Sequence, residues 1–308
     1  MMNRQWQATG SDGLRDFAFV DGEAPEPGPG RVRVSVTAAG VNPADLKHVA
    51  RATTFPLPIG YEITGVVDAV GPDAVGGSGP LRIGDRVAAF RVHGGYATSL
   101  TFPAEKAFAL SDSVDDVAAA GLLLAGTTAA DMLHRARLAS GEEIIVHGAS
   151  GAVGATLLQL AARDGVRVIG TCGPARTDAV ARYGAVPVVY GDGLTDRLRA
   201  AASNPIAALD LTGTDEAIDA SLTLVADRSR IITAANKTAA DRYGLVAVAG
   251  LDPESATYRD AMRGPLLDLV AAGELEVPIA RTFPLVDAVE ALELVASGRA
   301  GGKVVLTV

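Results

Sequence analysis

The chain has very few of the residues that metal sites and disulfides require. Among its 308 residues only one is cysteine, Cys172, and four are histidine. A single cysteine cannot form an internal disulfide or a cysteine-based zinc site. The histidines are scattered, without the paired spacing of a metal-binding helix; they are His48, His93, His134 and His147. We therefore expect no bound metal.

Long apolar runs and basic runs are missing as well. No apolar segment approaches the roughly 20 residues that cross a bilayer, and the opening MMNRQWQATGSDGL contains no apolar signal segment. The formal net charge is −9, without a run rich in lysine or arginine, so the composition does not indicate a nucleic-acid surface. We expect a cytoplasmic globular protein with neither nucleic acid nor membrane as a partner.

The sequence changes in texture near residue 113. Before that point, RVRVSVTAAG (31–40) and EITGVVDAVG (62–71) are typical of short strands, and turns rich in glycine and proline separate them. This pattern predicts a small, barrel-like β unit. The segment 113–138 follows, and its periodicity predicts one helix with Ser113 as its N-cap.

Strands and helices alternate in the middle of the chain. The apolar strands are EEIIVHGAS, VRVIGTC, VPVVY, IAALDLTG and SRIITAA. Runs of this kind between helices are typical of a doubly wound parallel sheet buried on both faces. The closing elements lack that texture: a helix at 258–275, a helix at 286–298 and the strand GKVVLTV. We expect these closing elements to return to the first domain.

The first strand, turn and helix of the alternating series are IIVHGASGAVGATLLQLAA (144–162). Gly148, Gly151 and Gly154 follow one another at three-residue spacing. Free N–H groups and the dipole at a helix N-terminus favour a pyrophosphate, and glycine lets the backbone approach it closely. The turn therefore predicts a dinucleotide cradle, with a ligand-free turn as the alternative.

The end of the second strand indicates which dinucleotide binds. NAD sites usually carry Asp or Glu about 20 residues after the glycine turn, but here the chain continues as VIGTCGPAR, without an acid. An acid would repel a 2′-phosphate, whereas the guanidinium of Arg176 suits one. The sequence favours NADPH, with NADH or dual use as the alternative.

Six segments, in this order, resemble the medium-chain dehydrogenase/reductase superfamily, above all its zinc-independent quinone oxidoreductase branch. They are GVNPADLK (40–47), GYEITGVV (60–67), GDRV (84–87), GGYAT (94–98), HGASGAVG (147–154) and GGKVVL (301–306). The resemblance implies an α/β protein with two domains. A GroES-like, β-rich catalytic domain would comprise residues 1–116 and 257–308, and a Rossmann doubly wound parallel-sheet domain residues 117–256.

The chain departs from the zinc-dependent members of that superfamily. Those members carry a cysteine in the region of Asn42 and Gly-His-Glu where this chain has Gly-Tyr-Glu, with Tyr61 in the histidine position. Their four-cysteine loop is absent. Many quinone oxidoreductases carry a tyrosine where this chain has Phe55, so Tyr61 is the nearer candidate for a tyrosine role. We expect Glu62 to be a buried partner of a cation such as Arg86.

Hydride transfer without a metal needs a positioned cofactor and hydrogen-bond donors aimed at the acceptor oxygen. By the resemblance, Asn42, Lys47 and Tyr61 line the cleft and are the candidate catalytic residues, with Tyr61 or water as the proton source. Each has a purely structural alternative: Asn42 as a turn residue, Lys47 as a solvated helix residue and Tyr61 as a packed tyrosine. We expect Asp45 to cap or orient the backbone.

The resemblance also implies a set of cofactor-binding residues. Thr127 would face the nicotinamide, Arg176 the 2′-phosphate and Tyr190 the adenosine. Lys303 would lie near the outer side of the cofactor. The complete set is Asn42, Thr127, Ser150, Gly151, Ala152, Val153, Arg176, Tyr190 and Lys303.

These features predict an NADPH-dependent, zinc-free reductase of quinones or α,β-unsaturated carbonyls. One alternative is a 2-enoyl thioester reductase of fatty-acid or polyketide chemistry. An alternative of another class is a non-catalytic NADPH-binding sensor. The family also implies a homodimer, for which the apolar run GLVAVAG (244–250) is a candidate edge.

Overall fold

A computed structural model describes residues 2–308, which form eighteen strands and eleven α-helices. The strands are β1 (Met2–Ala8), β2 (Phe17–Glu23), β3 (Arg31–Val41), β4 (Leu57–Pro58), β5 (Glu62–Val70), β6 (Val75–Gly76), β7 (Gly79–Pro80), β8 (Arg86–Phe90), β9 (Ser99–Pro103), β10 (Ala107–Ala109), β11 (Glu143–His147), β12 (Arg167–Cys172), β13 (Val186–Val189), β14 (Pro205–Asp210), β15 (Ile231–Thr233), β16 (Val246–Ala247), β17 (Ile279–Pro284) and β18 (Lys303–Thr307). The helices are α1 (Pro43–Arg51), α2 (Asp116–Ala120), α3 (Leu123–Ala136), α4 (Ala152–Arg163), α5 (Thr177–Ala181), α6 (Leu194–Ala201), α7 (Asp215–Leu224), α8 (Lys237–Tyr243), α9 (Pro253–Ala261), α10 (Arg263–Ala271) and α11 (Ala288–Ala296).

The chain forms two compact units. The first contains the residues up to Leu124 together with Arg263–Val308, and the second contains Ala125–Met262. The sequence-based division places these changes after residues 116 and 256 instead. The difference at the first boundary arises because α2 packs on β3 and β5 of the first unit. At the second, α9 stays with the second unit through a buried ion pair between Arg259 and Asp131.

The first unit is built on a β-sheet of seven strands. Its order is β10-β8-β5-β3-β18-β17, with β9 also paired to β3. The C-terminal strand β18 runs antiparallel to β3, with Val304 opposite Val41. The return of the closing strand to the first domain is therefore confirmed. Inward-facing residues of β3, such as Val32 and Val34, lie fully buried in the core of this unit.

The second unit contains a parallel sheet of six strands in the order β13-β12-β11-β14-β15-β16. Numbered within the unit, this order is 3-2-1-4-5-6, that of Rossmann dinucleotide-binding folds. Ile145, Ile169 and Ile231 from three of its strands are completely buried. The prediction of a doubly wound parallel sheet is confirmed. In such sheets ligands bind beyond the carboxyl ends of the strands where the order reverses, here between β11 and β14.

Two segments predicted as single helices are each divided in two. The segment 113–138 forms α2 and α3, and the N-cap of α2 is Asp115, not Ser113, because the Asp115 side chain accepts the Ala118 N–H. The segment 258–275 contains the end of α9 and the whole of α10. Pro265 lies in the first turn of α10, where its missing N–H is tolerated, and it opposes continuation of the preceding helix. Across residues 2–308, no helix has the length and apolarity needed to cross a membrane.

Candidate functional site

The first unit contains a buried polar cluster, formed by Asn42, Asp45, Glu62, Tyr96 and Lys303. It begins where β3 ends and α1 starts. Asn42 is the N-cap of α1, and its N–H donates to Asp45 Oδ2 over 2.8 Å, which is half of a capping box. Pro43 follows at the first helical position, where a missing N–H costs nothing. The expected capping role of Asp45 is confirmed.

The Asn42 amide is fully occupied inside this cluster. Its Nδ2 donates to Gly40 O over 3.2 Å and to Glu62 Oε2 over 3.1 Å. Its Oδ1 accepts from Lys303 Nζ over 2.7 Å. An asparagine amide has two N–H donors, so no donor remains, and the side chain is 2% exposed. The structure thus places Asn42 as an anchor of the β3–α1 turn and leaves its amide no free donor for a substrate.

Glu62 and Lys303 form a buried ion pair between β5 and β18. Lys303 Nζ lies 2.9 Å from Glu62 Oε2, and the two side chains are 2% and 0% exposed respectively. The other carboxylate oxygen, Glu62 Oε1, accepts the Leu124 N–H over 2.8 Å in the first turn of α3. Glu62 is the buried partner of a cation, as expected. The prediction that this cation is Arg86 is wrong, because Arg86 pairs with Asp116. Lys303 is buried, and its ammonium also donates to Asn42 Oδ1.

Tyr61 lies beside this cluster and between two imidazoles. Its ring meets the rings of His48 and His93 edge to face, with centroids 4.2 and 5.2 Å apart. Within the described chain its hydroxyl makes no hydrogen bond. Burial, and secondly the charge of Asp45, raise the pKa of Tyr61 to about 12. The phenol therefore remains protonated at neutral pH and can act as a hydrogen-bond donor.

The neighbours of Tyr61 are themselves perturbed. Burial is the main cause that lowers the pKa of both His48 and His93, so both rings favour the neutral form. Burial also raises the pKa of Asp45 to about 7, against the hydrogen bond that Tyr96 donates over 2.6 Å. Lys47, the third predicted catalytic residue, is exposed on α1, and its ammonium has no partner among residues 2–308.

The second unit holds the glycine turn. Strand β11 ends at His147, Gly148 has a φ of +79°, and Gly151 is the N-cap of α4. A Cβ on Gly154 would lie 2.5 Å from the carbonyl oxygens of Gly148 and Ala149, so only glycine permits this packing. No side chain in the described chain caps α4. The N–H groups of its first turn are available to an anion.

Two of the remaining cofactor candidates follow strands of the same sheet. Arg176 is exposed in the turn after β12, and its guanidinium pairs with no group in the part of the chain that the structure describes. Tyr190 follows β13 and is 55% exposed. A Cβ on Gly173 would lie 3.2 Å from its hydroxyl, so the phenol lies directly over the turn after β12. Thr127 is buried on α3.

Beneath the glycine turn lies a polar group that the sequence did not reveal as a unit. His147 is fully buried, its Nδ1 3.3 Å from Thr171 Oγ1 and its Nε2 3.1 Å from Ser221 Oγ. Thr171 Oγ1 also accepts the Gly148 N–H. Burial lowers the pKa of His147 to about 4, against the opposing charge of Asp210. The only signal in the sequence is that His147 and Asp210 end neighbouring strands.

The Asp210 carboxylate holds the turn after β14, across the point where the strand order reverses. It accepts hydrogen bonds from the N–H groups of Thr212 and Gly213 and from the hydroxyl of Thr233.

The second unit can receive an anionic ligand at the α4 N-terminus, where no side chain of the described chain caps the helix. In residues 2–308, no group of three or more His, Cys, Asp or Glu side chains is placed to hold a metal ion.

Two family models match the chain. The alcohol dehydrogenase GroES-like domain matches residues 28–112, and the model described as zinc-binding dehydrogenase matches residues 178–306. The first match lies within the first unit, and most of the second lies within the second unit.

Curated relatives differ in how much of their own length is matched. The phthioceranic/hydroxyphthioceranic acid synthase of Mycobacterium tuberculosis is 30% identical over 91% of this chain, and the chain spans 14% of that protein. The quinone oxidoreductase of Pseudomonas aeruginosa is 29% identical over 99% of both chains. The 2-haloacrylate reductase of a Burkholderia species is 34% identical over 52% of this chain and 50% of its own.

Among solved structures, a mycobacterial protein in complex with NADPH superimposes with a TM-score of 0.87. It is 27% identical, and the match covers 99% of this chain and 100% of that one. Fold, family models and relatives agree, and this chain belongs to the medium-chain dehydrogenase/reductase superfamily of oxidoreductases and is similar to its quinone oxidoreductases.

Proposed function

We propose that this protein is an NADPH-dependent, zinc-free reductase of quinones or α,β-unsaturated carbonyls. The observation that carries the proposal is the glycine turn of the second unit, at the first βα junction of a 3-2-1-4-5-6 sheet, with unpaired Arg176 after the next strand. The mycobacterial neighbour solved with NADPH supports the choice of cofactor, and the quinone oxidoreductase of P. aeruginosa the choice of substrate.

The residues of the turn fit the phosphates of a dinucleotide. The N–H groups of Ala152 and Val153, in the uncapped first turn of α4, would hold the pyrophosphate. Arg176 would hold the 2′-phosphate as a charge-assisted pair, and Tyr190 would flank the adenosine. Bound NADPH supplies a hydride.

In the first unit, the Tyr61 hydroxyl is the candidate donor to the substrate oxygen. It is a neutral phenol without a hydrogen-bond partner in the described chain, in a site of low exposure. Reduction of a quinone or an enone develops negative charge on the acceptor oxygen, which a pre-oriented donor stabilises. Tyr61 would donate to that oxygen, and the proton of the product would come from Tyr61 or from water.

A second candidate is a 2-enoyl thioester reductase. Its support is the likeness to the acid synthase of M. tuberculosis over 91% of this chain. The similarity to a 2-haloacrylate reductase also favours reduction of a carbon–carbon double bond conjugated to a carbonyl. Both candidates use the same hydride donor and the same oxygen-directed phenol, and they differ in the acceptor.

The test is NADPH oxidation at 340 nm with 1,4-benzoquinone, 9,10-phenanthrenequinone and crotonyl-CoA as separate acceptors. Turnover with a quinone supports the main proposal. Turnover with crotonyl-CoA alone moves the protein to the enoyl thioester reductases. Tight NADPH binding without turnover of any acceptor contradicts both and indicates a non-catalytic NADPH-binding protein.

A further inference from the structure

The buried polar cluster contains more hydrogen bonds than the cap of α1 needs. Glu62 uses both carboxylate oxygens, one towards Lys303 and Asn42 and the other towards the first turn of α3. In this way one side chain joins the β3–α1 turn, the closing strand β18 and the start of α3. The residue before α3 is Leu122, which cannot act as a side-chain cap, so Glu62 supplies the acceptor that the local sequence lacks.

Glu62 directly follows Tyr61 in the chain, so its hydrogen bonds fix the backbone on one side of Tyr61. On the other side of Tyr61, Gly60 has a φ of +98°, and a Cβ there would lie 2.5 Å from the Tyr96 ring. Tyr96 is in turn fixed by its hydrogen bond to Asp45. The backbone of Tyr61 is therefore held on both sides by residues of the cluster, while its own hydroxyl is held by none of the residues 2–308.

We infer that Glu62 is the positioning residue of this site, and that its hydrogen bonds to Asn42, Lys303 and Leu124 set the direction in which Tyr61 presents its hydroxyl. This inference rests on the proposed function only in taking Tyr61 as the donor to substrate. It gives Asn42 and Lys303 new roles: Asn42 orients Glu62, and Lys303 is its buried counter-ion.

The chemistry of the cluster makes Glu62→Gln the informative variant. Glutamine has nearly the same shape as glutamate, but an NH₂ donor replaces one of the two acceptor oxygens of the Glu62 carboxylate. If the NH₂ group faces Lys303 and Asn42, it meets two other donors, the Lys303 ammonium and the Asn42 amide N–H. If it faces α3, it opposes the Leu124 N–H. No orientation of the amide satisfies both sides, so the backbone at residues 61 and 62 must shift.

The experiment reads Tyr61 directly, by NMR of protein labelled with ¹³Cζ-tyrosine. The chain has six tyrosines, and Tyr61→Phe assigns the resonance by its disappearance. We expect Glu62→Gln to move the Tyr61 resonance and to lower kcat roughly ten- to hundredfold. The KM for NADPH should change by less than about twofold, because binding of the cofactor is assigned to other residues. Asp116→Asn, which breaks the Arg86 ion pair of the same unit, should change neither the Tyr61 resonance nor kcat.

The outcomes separate the two proposals. An unmoved Tyr61 resonance in folded Glu62→Gln overturns the inference, whatever happens to kcat. If the wild type reduces none of the acceptors, the proposed function fails, and the resonance alone still decides the positioning. If Glu62→Gln does not fold, Asn42→Ser replaces it: residue 42 keeps the backbone N–H that donates to Asp45 but loses the side-chain bond to Glu62. A Tyr61 resonance at its wild-type position in that variant equally overturns the inference.

Discussion

Tyr61 is the residue on which the proposed chemistry depends most. Tyr61→Phe removes the hydroxyl and keeps the ring contacts with His48 and His93. We expect kcat with a quinone to fall about a hundredfold, as is typical when one oxyanion donor is lost, while the KM for NADPH stays near the wild-type value. Tyr243→Phe, in the second unit, is the matched control. Full activity of Tyr61→Phe would assign the donor to water or to another residue.

Substitution of Gly154 tests whether the glycine turn binds the cofactor. In Gly154→Ala the new methyl would lie 2.5 Å from two carbonyl oxygens of the turn, so the turn must open. We expect the Kd for NADPH, measured by fluorescence titration, to rise roughly tenfold or more, about 1.4 kcal/mol. Gly264→Ala is the control, because a Cβ there meets nothing within 4 Å. Unchanged binding in Gly154→Ala would place the cofactor away from this turn.

The sequence indicates some of these residues better than others. Three glycines at fixed spacing after an apolar strand predict their own turn, because the local backbone geometry determines it. The environment of Asn42 was not predictable, since two of its three amide partners come from residues 20 and 261 positions away. A candidate donor could thus be recognised by residue type, but whether its N–H groups were already used depended on tertiary structure.

At the scale of elements, the Glu62–Lys303 pair joins two strands that are remote in sequence. In Lys303→Met the Glu62 charge would remain buried without its counter-ion, which typically costs about 3–5 kcal/mol. We expect chemical denaturation to show a loss of this order. The double variant Glu62→Gln/Lys303→Met removes both charges and should recover a large part of it. Equal stability of the single and double variants would show that the two charges are not coupled.

The alternation of strands and helices made the second unit predictable, because each buried strand and each amphipathic helix has its own sequence period. The breaks within 113–138 and 258–275 were not anticipated. The periodicity continues across Gly121 and across Met262, where α2 and α9 end, and the boundaries between the two units, after Leu124 and Met262, fall close to both breaks. Proline at position 265 was the one local signal for the second break.

At the scale of the whole molecule, buried His147 should make stability depend on pH. Burial lowers the pKa of His147 in the folded protein to about 4, below the ordinary histidine value of 6.5. The neutral ring therefore contributes stability that is fully present above pH 6.5 and is lost as the pH falls towards 4. Between pH 7 and pH 5 we expect the free energy of unfolding to decrease by about 2 kcal/mol from this residue.

Guanidinium denaturation at the two pH values measures this loss, and His147→Gln is the matched variant, since glutamine is polar but does not titrate. The difference between pH 7 and pH 5 should shrink in the variant. The same loss in both proteins would assign the acid sensitivity to other groups.

The assembly of the chain stays a prediction. Strand β16 is the edge of the six-stranded sheet and lies in the apolar run 244–250, which is the location expected for edge-to-edge pairing in a homodimer. Light scattering of the purified protein distinguishes a dimer from a monomer. A monomer at micromolar concentration would remove this expectation.

The central claim is that this molecule uses NADPH to reduce a quinone or an activated double bond. The most direct measurement is kcat/KM for NADPH and for NADH with 9,10-phenanthrenequinone, in the wild type and in Arg176→Ala. We expect a preference for NADPH of at least about tenfold, which is lost in Arg176→Ala because the 2′-phosphate loses its charge-assisted partner. Oxidation of neither cofactor, or a preference for NADH in the wild type, would contradict it.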